Sequence, residues 1–180
     1  MTKLSDAKSI LLMIDWQERL FPAMPDGVRE RNIGNAERIH WLCRELNVPT
    51  LFTEQYPKGL GSTIASLSPV QAVPKTEFSA FAAVSPFLAR YPERNDIILS
   101  GMETHICVAQ TALDLLEGGY RPVLVVDACL SRKKLDWWCA IQRLMKEGVR
   151  VTTTEALLFE MVRRKEHTHF KALSKRIRNH

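Results

Sequence analysis

The stretch that decides the fold is Ile10-Leu11-Leu12-Met13-Ile14-Asp15, five consecutive apolar residues that end in a carboxylate. A run of this length and composition is typical of a β-strand that is covered on both faces, as the strands of parallel sheets are. An unpaired carboxylate is costly to bury, so Asp15 needs a partner at the end of this strand. Two interpretations follow: Asp15 caps the next turn, or it belongs to a functional site.

Strand-like and helical segments alternate along the rest of the chain. The apolar spacing of residues 28–46 predicts an amphipathic helix, whereas residues 55–61, with one proline and two glycines, predict a shaped surface loop rather than a helix. Such alternation predicts an α/β fold, a doubly wound parallel sheet with helices on both faces. Ligands of these sheets bind beyond the carboxyl ends of the strands, where Asp15 lies. We predict further strands at 48–53, 71–75, 97–99, 123–126 and 149–153, and further helices at 107–116, 135–145 and 156–162.

The composition indicates one globular domain. The chain has 180 residues, of which 46% are hydrophobic and 25% are charged, as in ordinary globular proteins. The sequence shows no secretory signal, no C-x-x-C pair and no apolar run of the ~18 residues that a membrane span requires. We therefore expect a cytoplasmic protein, with a mitochondrial location as the alternative, no membrane partner and no structural zinc.

The positive charge is concentrated at the carboxyl end. The net charge is +5, and residues 163–180 alone contain seven Lys or Arg and one Glu. We therefore divide the chain into a main domain at 1–162 and a basic C-terminal helix or tail at 163–180, into which the helix at 156–162 continues. Such a run is either a solvated helix face or a site for an anionic partner such as RNA, an acidic lipid surface or another subunit.

Cys107 is the cysteine whose position predicts reactivity. It follows Gly101 by six residues and opens the predicted helix at 107–116. The free N–H groups and the dipole of a helix N-terminus favour a thiolate, and the same N–H groups can hold a developing oxyanion. The alternative is a small buried residue, which is our interpretation of Cys129 and Cys139.

Lys75 supplies a cation between the extended segment that ends there and the aromatic residues that follow, in Pro74-Lys75-Thr76-Glu77-Phe78. Most lysines are solvated surface residues. A lysine beside a thiolate and a carboxylate would instead stabilise both anions. Asp15, Lys75 and Cys107 are thus the candidate catalytic residues.

Three motifs resemble the isochorismatase-like cysteine hydrolase superfamily: Leu12-Met13-Ile14-Asp15-Trp16-Gln17, Pro74-Lys75-Thr76-Glu77-Phe78-Ser79-Ala80-Phe81 and Gly101-Met102-Glu103-Thr104-His105-Ile106-Cys107-Val108. The loop at 53–61 further resembles the isochorismatase domain-containing branch of animals and trypanosomatids. The resemblance implies a six-stranded parallel sheet in the order 3-2-1-4-5-6.

The resemblance also implies roles for individual residues. Asp15 takes the proton of Cys107, Lys75 lowers the pKa of the thiol, and the sulfur attacks a carbonyl carbon to form a thioester that water hydrolyses. A cis peptide between Met102 and Glu103 would direct the backbone N–H groups of Glu103 and Cys107 at the oxyanion.

The resemblance leaves the substrate open. The loop after the second strand has no histidine, so we expect no catalytic metal, and we expect no cofactor. We predict a small-molecule substrate with an amide or related C–N bond. Alternative functions are an RNA-associated protein or ribonuclease that uses the basic tail, or a non-catalytic interaction module. We also expect a homo-oligomer, with Trp137 and Trp138 as exposed aromatics. Candidate residues of the substrate pocket are Gln17, Phe21, Tyr56, Phe78 and Phe81.

Overall fold

The computed structural model describes residues 3–67, 69 and 72–178. Its strands are β1 (Ser9–Ile14), β2 (Thr50–Gln55), β3 (Ala72–Lys75), β4 (Asp96–Met102), β5 (Arg121–Leu130) and β6 (Arg150–Thr152). They form one sheet in the order β3-β2-β1-β4-β5-β6, and every neighbouring pair is parallel. The predicted parallel sheet and its order are therefore confirmed. Residues 1, 2, 71, 179 and 180 of the predicted segments lie outside the described residues.

Helices cover both faces of this sheet, as the alternation of segments predicts. They are α1 (Val28–Glu45), α2 (Pro57–Leu60), α3 (Phe81–Leu88), α4 (Ala109–Glu117), α5 (Lys134–Lys146), α6 (Thr154–Val162) and α7 (Phe170–Arg178), with a π-helical turn at Thr104–Val108 before α4. None of the described helices is both long and apolar enough to cross a membrane.

The side chains of β1 show how the sheet divides the core. Leu11 and Met13 pack in the cluster that contains α1 and α6 residues. Leu12 and Ile14 pack in the opposite cluster, with residues of α3, α4 and α5. All six residues of β1 are buried, so the apolar run from Ile10 to Ile14 reflects a strand with a hydrophobic layer on each side.

Two segments differ from the sequence prediction in helix content. Residues 55–61 are not entirely a loop, because Pro57–Leu60 forms the short α2; proline suits the first turn of a helix, where its missing N–H has no intrahelical partner. Between the strands predicted at 71–75 and 97–99, where no helix is predicted, the chain forms α3 although Pro86 lies inside it. The strand predicted at 123–126 extends to Leu130, with a register shift opposite Leu99 and Gly101.

The basic C-terminal segment is not an extension of α6. Helix α6 ends at Val162, and Arg163 turns the chain with a φ of 66°. The separate helix α7 then returns to the body of the protein, where Leu173 is fully buried and Phe170 packs against Phe159 with ring centroids 6.3 Å apart. The predicted continuous helix is therefore wrong, and the apolar face of α7 is part of the core.

Candidate active site

Asp15 lies at the carboxyl end of β1 with its side chain fully buried. Its backbone has a φ of 53°, a left-handed conformation that is uncommon for aspartate. The neighbouring strand holds it in place, since its N–H donates to the carbonyl oxygen of Thr53 at 3.1 Å and its Oδ1 accepts a hydrogen bond from Thr53 Oγ1 at 2.7 Å. This geometry fixes the direction of the carboxylate.

Lys75, the last residue of β3, is the buried partner that the carboxylate requires. Its Nζ lies 2.8 Å from Asp15 Oδ2. The ammonium also donates to Gln55 Oε1 at 2.6 Å and to the carbonyl oxygens of Phe78 at 2.9 Å and Glu77 at 3.1 Å. Lys75 is only 6% exposed, so it is not a surface lysine. The surrounding oxygens compensate for the desolvation of its charge.

Cys107 occupies the π-helical turn that follows β4, and 6% of the residue is exposed. The charges of Asp15 and Lys75 both act on its thiol. Burial, together with the negative charge of Asp15, raises the pKa of the thiol to about 12, and Lys75 lowers it by a smaller amount. Burial thus opposes a resting thiolate, whereas the contribution of Lys75 to the pKa has the predicted downward direction.

The helical start at Cys107 also differs from the prediction. The helical residues begin at Thr104, so Cys107 lies inside the first turn and does not open the helix. Of the two cysteines interpreted as small buried residues, Cys129 is buried and Cys139 is exposed; the interpretation is wrong for Cys139.

The turn that carries Cys107 is held in place by hydrogen bonds to the end of β5 and to the residues just after it. The peptide bond between Met102 and Glu103 is cis. The carboxylate of Glu103 accepts hydrogen bonds from the backbone N–H of Arg132 at 3.0 Å and from Arg132 Nε at 3.1 Å, and Thr104 Oγ1 donates to the carbonyl oxygen of Leu130 at 2.9 Å. The oxyanion role of the N–H groups of Glu103 and Cys107 stays a prediction.

Two of the predicted pocket residues border Lys75. Tyr56 donates its backbone N–H to the carbonyl oxygen of Lys75 at 2.9 Å, and Phe78 accepts from the ammonium through its own carbonyl oxygen. Tyr56 is 56% exposed and Phe78 is 55% exposed. Their backbones thus adjoin Lys75, and the role of their rings as pocket walls stays a prediction.

The other three pocket candidates are placed differently. Gln17 is fully buried, and its amide bonds the backbone of Gln55 and Gly61, so it braces the loop after β2 and is not free to bind substrate. Phe81 packs against Tyr120, with ring centroids 6.3 Å apart, at the far end of α4 from Cys107; the structure does not bring it to the site. Phe21 is half-buried against Trp16, and its role as a pocket wall stays a prediction.

Sequence reasoning missed Thr53 and Gln55. Both lie at the carboxyl end of β2, next to β1 and β3, and they hold the carboxylate and the ammonium respectively. Polar residues at the end of a predicted central strand are the signal that could have identified them, because the carboxyl ends of parallel strands share one edge of the sheet.

No metal site accompanies these residues in the described ranges: no group of three or more His, Cys, Asp or Glu side chains there could hold an ion. Glu54, near the end of β2, accepts hydrogen bonds from the backbone N–H and the hydroxyl of Thr63 at 2.7 and 2.8 Å. His105 contacts Ser131 Oγ at 2.9 Å through Nδ1.

Comparison with known proteins agrees with this fold. The isochorismatase domain family matches residues 9–156. Isochorismatase domain-containing protein 2 of Danio rerio is 39% identical over 176 residues, which are 96% of this chain and 88% of that protein. Isochorismatase domain-containing protein 1 of Danio rerio is 38% identical, and the alignment covers 94% of this chain but only 61% of that protein.

Among solved structures, the MAR1 ribonuclease of Caenorhabditis elegans superimposes with a TM-score of 0.90 at 33% sequence identity, covering 99% of this chain and 93% of that one. The family match extends over most of the chain and includes all the strands described above. The chain therefore belongs to the isochorismatase domain family.

Proposed function

We propose that this protein is a cysteine hydrolase that cleaves an amide or related C–N bond of a small molecule. The observation that carries the proposal is the buried contact of Asp15 Oδ2 with Lys75 Nζ, 2.8 Å long, beside the thiol of Cys107. The proposal assigns Cys107 as the nucleophile, Asp15 as the proton acceptor and Lys75 as the cation, which are the three roles that covalent catalysis requires.

The raised pKa of Cys107 defines how the first step would run. Burial raises the pKa of the Cys107 thiol to about 12, so the proposed step starts from the protonated thiol: the proton passes from Sγ to the Asp15 carboxylate as the sulfur attacks the carbonyl carbon. The C–N bond then breaks, and the leaving amine takes that proton. As the S–C bond forms, the negative charge passes from the Asp15 carboxylate to the carbonyl oxygen of the substrate, and it returns to the carboxylate when the C–N bond breaks. Lys75 keeps its charge throughout and offsets this negative charge.

The second half of the cycle removes the acyl group. Asp15, ionised again, takes a proton from a water molecule as its oxygen attacks the thioester carbon. The C–S bond breaks, the carboxylic acid leaves, and the proton returns from Asp15 to the sulfur. Tyr56 and Phe78, which are both half-exposed beside Lys75, would contact the apolar part of the substrate.

A screen of small amides with matched variants tests this function. We expect hydrolysis by the wild-type protein, and a loss of at least ~100-fold with Cys107→Ala and with Asp15→Asn. Cys139→Ala, which removes an exposed thiol, is the control and should keep full activity. Mass spectrometry should find the acyl group on Cys107. Equal rates for Cys107→Ala and Cys139→Ala would refute the proposal.

A second candidate function is RNA binding, with or without cleavage. Two observations favour it: the similarity to the C. elegans MAR1 ribonuclease, and the exposed Lys171, Lys175 and Arg178 on α7. Clustered cations bind phosphates and release counterions, so the affinity should fall steeply with salt.

Deleting residues 163–180 would be a poor test, because α7 contributes the buried Leu173 to the core. We would instead change Lys171, Lys175 and Arg178 to Gln and measure RNA affinity across a salt series. The control is Lys133→Gln with Lys134→Gln, which removes two exposed cations at the start of α5. A salt slope that the α7 variant reduces and the control keeps would support RNA binding, and equal slopes would exclude this site.

A further inference from the structure

A concavity at the amino end of β2, which we call the amino-end concavity, lies apart from the candidate active site. It is bounded by the end of α1, the start of β2 and the loop after α3, and its volume is about 490 Å³, within the ~300–1,000 Å³ of small-molecule sites. Thr50 begins β2 at this concavity, whereas Gln55, which contacts Lys75, ends it. At ~3.3 Å per residue, the two ends of β2 are about 16 Å apart.

The charged side chains that line the amino-end concavity are all cationic. They are Arg44 and Arg94, and no Asp or Glu is among the lining residues, all of which belong to the described part of the chain. His40 lies beside them. Burial lowers the pKa of His40, and the positive charge of Arg44 lowers it further, so the field of Arg44 acts on the wall of the concavity. A concavity lined by charges of one sign concentrates ligands of the opposite sign.

The guanidinium of Arg94 is held in place without being neutralised. Its Nη1 donates to the backbone carbonyl oxygens of Asp6 and Ser9. Its Nε is buried and has no hydrogen-bond partner among the described residues. The carboxylate oxygen Oε1 of Glu93 is 3.5 Å from this nitrogen, but the Glu93 side chain is 64% exposed, so water screens its charge. An anion in the concavity would compensate the charge of Arg94.

The end of α1 adds a donor and does not repel an anion. Asn47, which is exposed and lines the concavity, has a side-chain amide with two N–H groups. The negative end of a helix arises from carbonyl groups without partners. Here the carbonyl oxygens of Leu42, Cys43 and Arg44 all accept backbone hydrogen bonds of 2.8 to 3.1 Å, so their partial charges are offset within the chain.

The other walls of the amino-end concavity are largely apolar and aromatic. Phe52 is buried, with its ring 5.1 Å from that of His40. Tyr91 is half-buried against Phe87, with ring centroids 5.4 Å apart. An inorganic anion would leave these walls without a contact. The concavity therefore suits an anion that carries a flat organic group.

We propose that the amino-end concavity binds a small phosphate monoester whose organic part is a flat ring, such as a nucleoside monophosphate. Arg44 and Arg94 would hold the phosphate oxygens, since a guanidinium donates two parallel hydrogen bonds to such a group. Asn47 would donate to a further oxygen, and Tyr91 would contact the ring. A phosphate suits two guanidinium groups on different elements better than a carboxylate does, because it carries more charge and three terminal oxygens.

Isothermal titration calorimetry with adenosine monophosphate, inorganic phosphate and adenosine tests the proposal. We expect the monophosphate to bind, phosphate to bind at least ~10-fold more weakly, and adenosine to give no detectable binding. The dissociation constant of the monophosphate should rise at least ~10-fold with Arg44→Gln, which removes a charged donor. Arg143→Gln, which removes an exposed cation on α5, is the matched control. Cys107→Ala should bind as the wild type does, which separates this site from the proposed active site.

Asn47→Asp gives an independent test, because it places a carboxylate at the concavity and keeps a residue type that tolerates the φ of 54° found there. It should also weaken binding at least ~10-fold. Circular dichroism shows whether each variant is folded. A wild-type protein that binds neither the monophosphate nor phosphate would overturn the proposal, as would equal affinity for adenosine and its monophosphate. Unchanged affinity in Arg44→Gln and Asn47→Asp would overturn this location, and equal affinity for phosphate and the monophosphate would overturn the role of the apolar walls.

Discussion

The carboxylate of Asp15 and the ammonium of Lys75 lie 2.8 Å apart, on side chains that are 0% and 2% exposed. These residues end β1 and β3, and β2 lies between the two strands in the sheet. The side chains therefore meet across the end of β2, where Thr53 and Gln55 orient them.

Removing one member of this pair should destabilise the protein strongly. We expect Lys75→Met to lower the free energy of unfolding by about 3–5 kcal/mol, because it leaves a buried carboxylate without a counter-charge. Asp15→Asn combined with Lys75→Met should cost clearly less than the sum of the two single changes. Urea unfolding at neutral pH measures all three. The control is Arg29→Met, which removes an ion pair with Asp26, a residue whose side chain is 86% exposed. If the changes in the free energy of unfolding were strictly additive for the buried pair, the prediction would be contradicted.

Gln55 should act as a positioning residue for Lys75. Its Oε1 accepts from the ammonium at 2.6 Å, so Gln55→Ala leaves one buried N–H group without its acceptor and should cost about 1–3 kcal/mol. Gln55→Glu retains an acceptor and should be closer to the wild type. The stabilities of the two variants are compared by thermal unfolding. Equal losses of stability would show that the fold does not depend on the contact between Gln55 and the ammonium of Lys75.

The cysteines should differ in reactivity in an order set by burial. At pH 7.5 we expect iodoacetamide to alkylate the exposed Cys139 first and Cys107 more slowly, because burial and Asp15 raise the pKa of the Cys107 thiol to about 12. Peptide mass spectrometry over a time course gives each rate. Faster alkylation of Cys107 than of Cys139 would show that its resting form is the thiolate.

Alkaline pH should weaken the fold. Burial raises the pKa of the Cys43 and Cys129 thiols from 9.0 to about 12. Above pH 9 the unfolded chain releases these protons while the folded chain keeps them, so the unfolded state binds fewer protons and the free energy of unfolding falls as the pH rises. The stabilisation is complete below pH 9 and is lost as the pH approaches 12.

Cys43→Ala isolates one of these thiols. Denaturant titrations at several values between pH 9 and 11 should give a shallower pH dependence for this variant than for the wild type, by about 1.4 kcal/mol per pH unit. Cys139→Ala, which removes an exposed thiol, should keep the wild-type slope. Parallel slopes in all three proteins would show that buried thiols do not cause the loss.

The sheet could be predicted from the sequence because its central strands are uniformly apolar. Ile10 to Ile14 are buried on both sides of β1, and such runs indicate a parallel strand without any knowledge of neighbours. The extension of β5 beyond Val126 could not be predicted from an apolar run. Asp127 interrupts the apolar run, but its carboxylate turns out to accept from the backbone N–H and hydroxyl of Thr154 at the start of α6.

The sequence identifies candidate residues for the site but not the electrostatics among them. Asp15, Lys75 and Cys107 each follow or end a strand, so the topology brings them to one edge. Whether the cation or the burial dominates the pKa of Cys107 depends on packing depth, which no local pattern reports. The direction of Phe81 towards Tyr120 likewise depends on the tertiary arrangement of α3 and α4.

Lys75 belongs to the edge strand of the sheet, a strand of only four residues. Edge segments of this kind open locally at a lower free energy than central strands do. When β3 detaches, the ammonium leaves the carboxylate while β1, β4 and β5 keep their pairing. Heat would then disrupt the candidate site before it melts the sheet, so a probe of the contact between Asp15 and Lys75 and a spectroscopic melt would report two different midpoints.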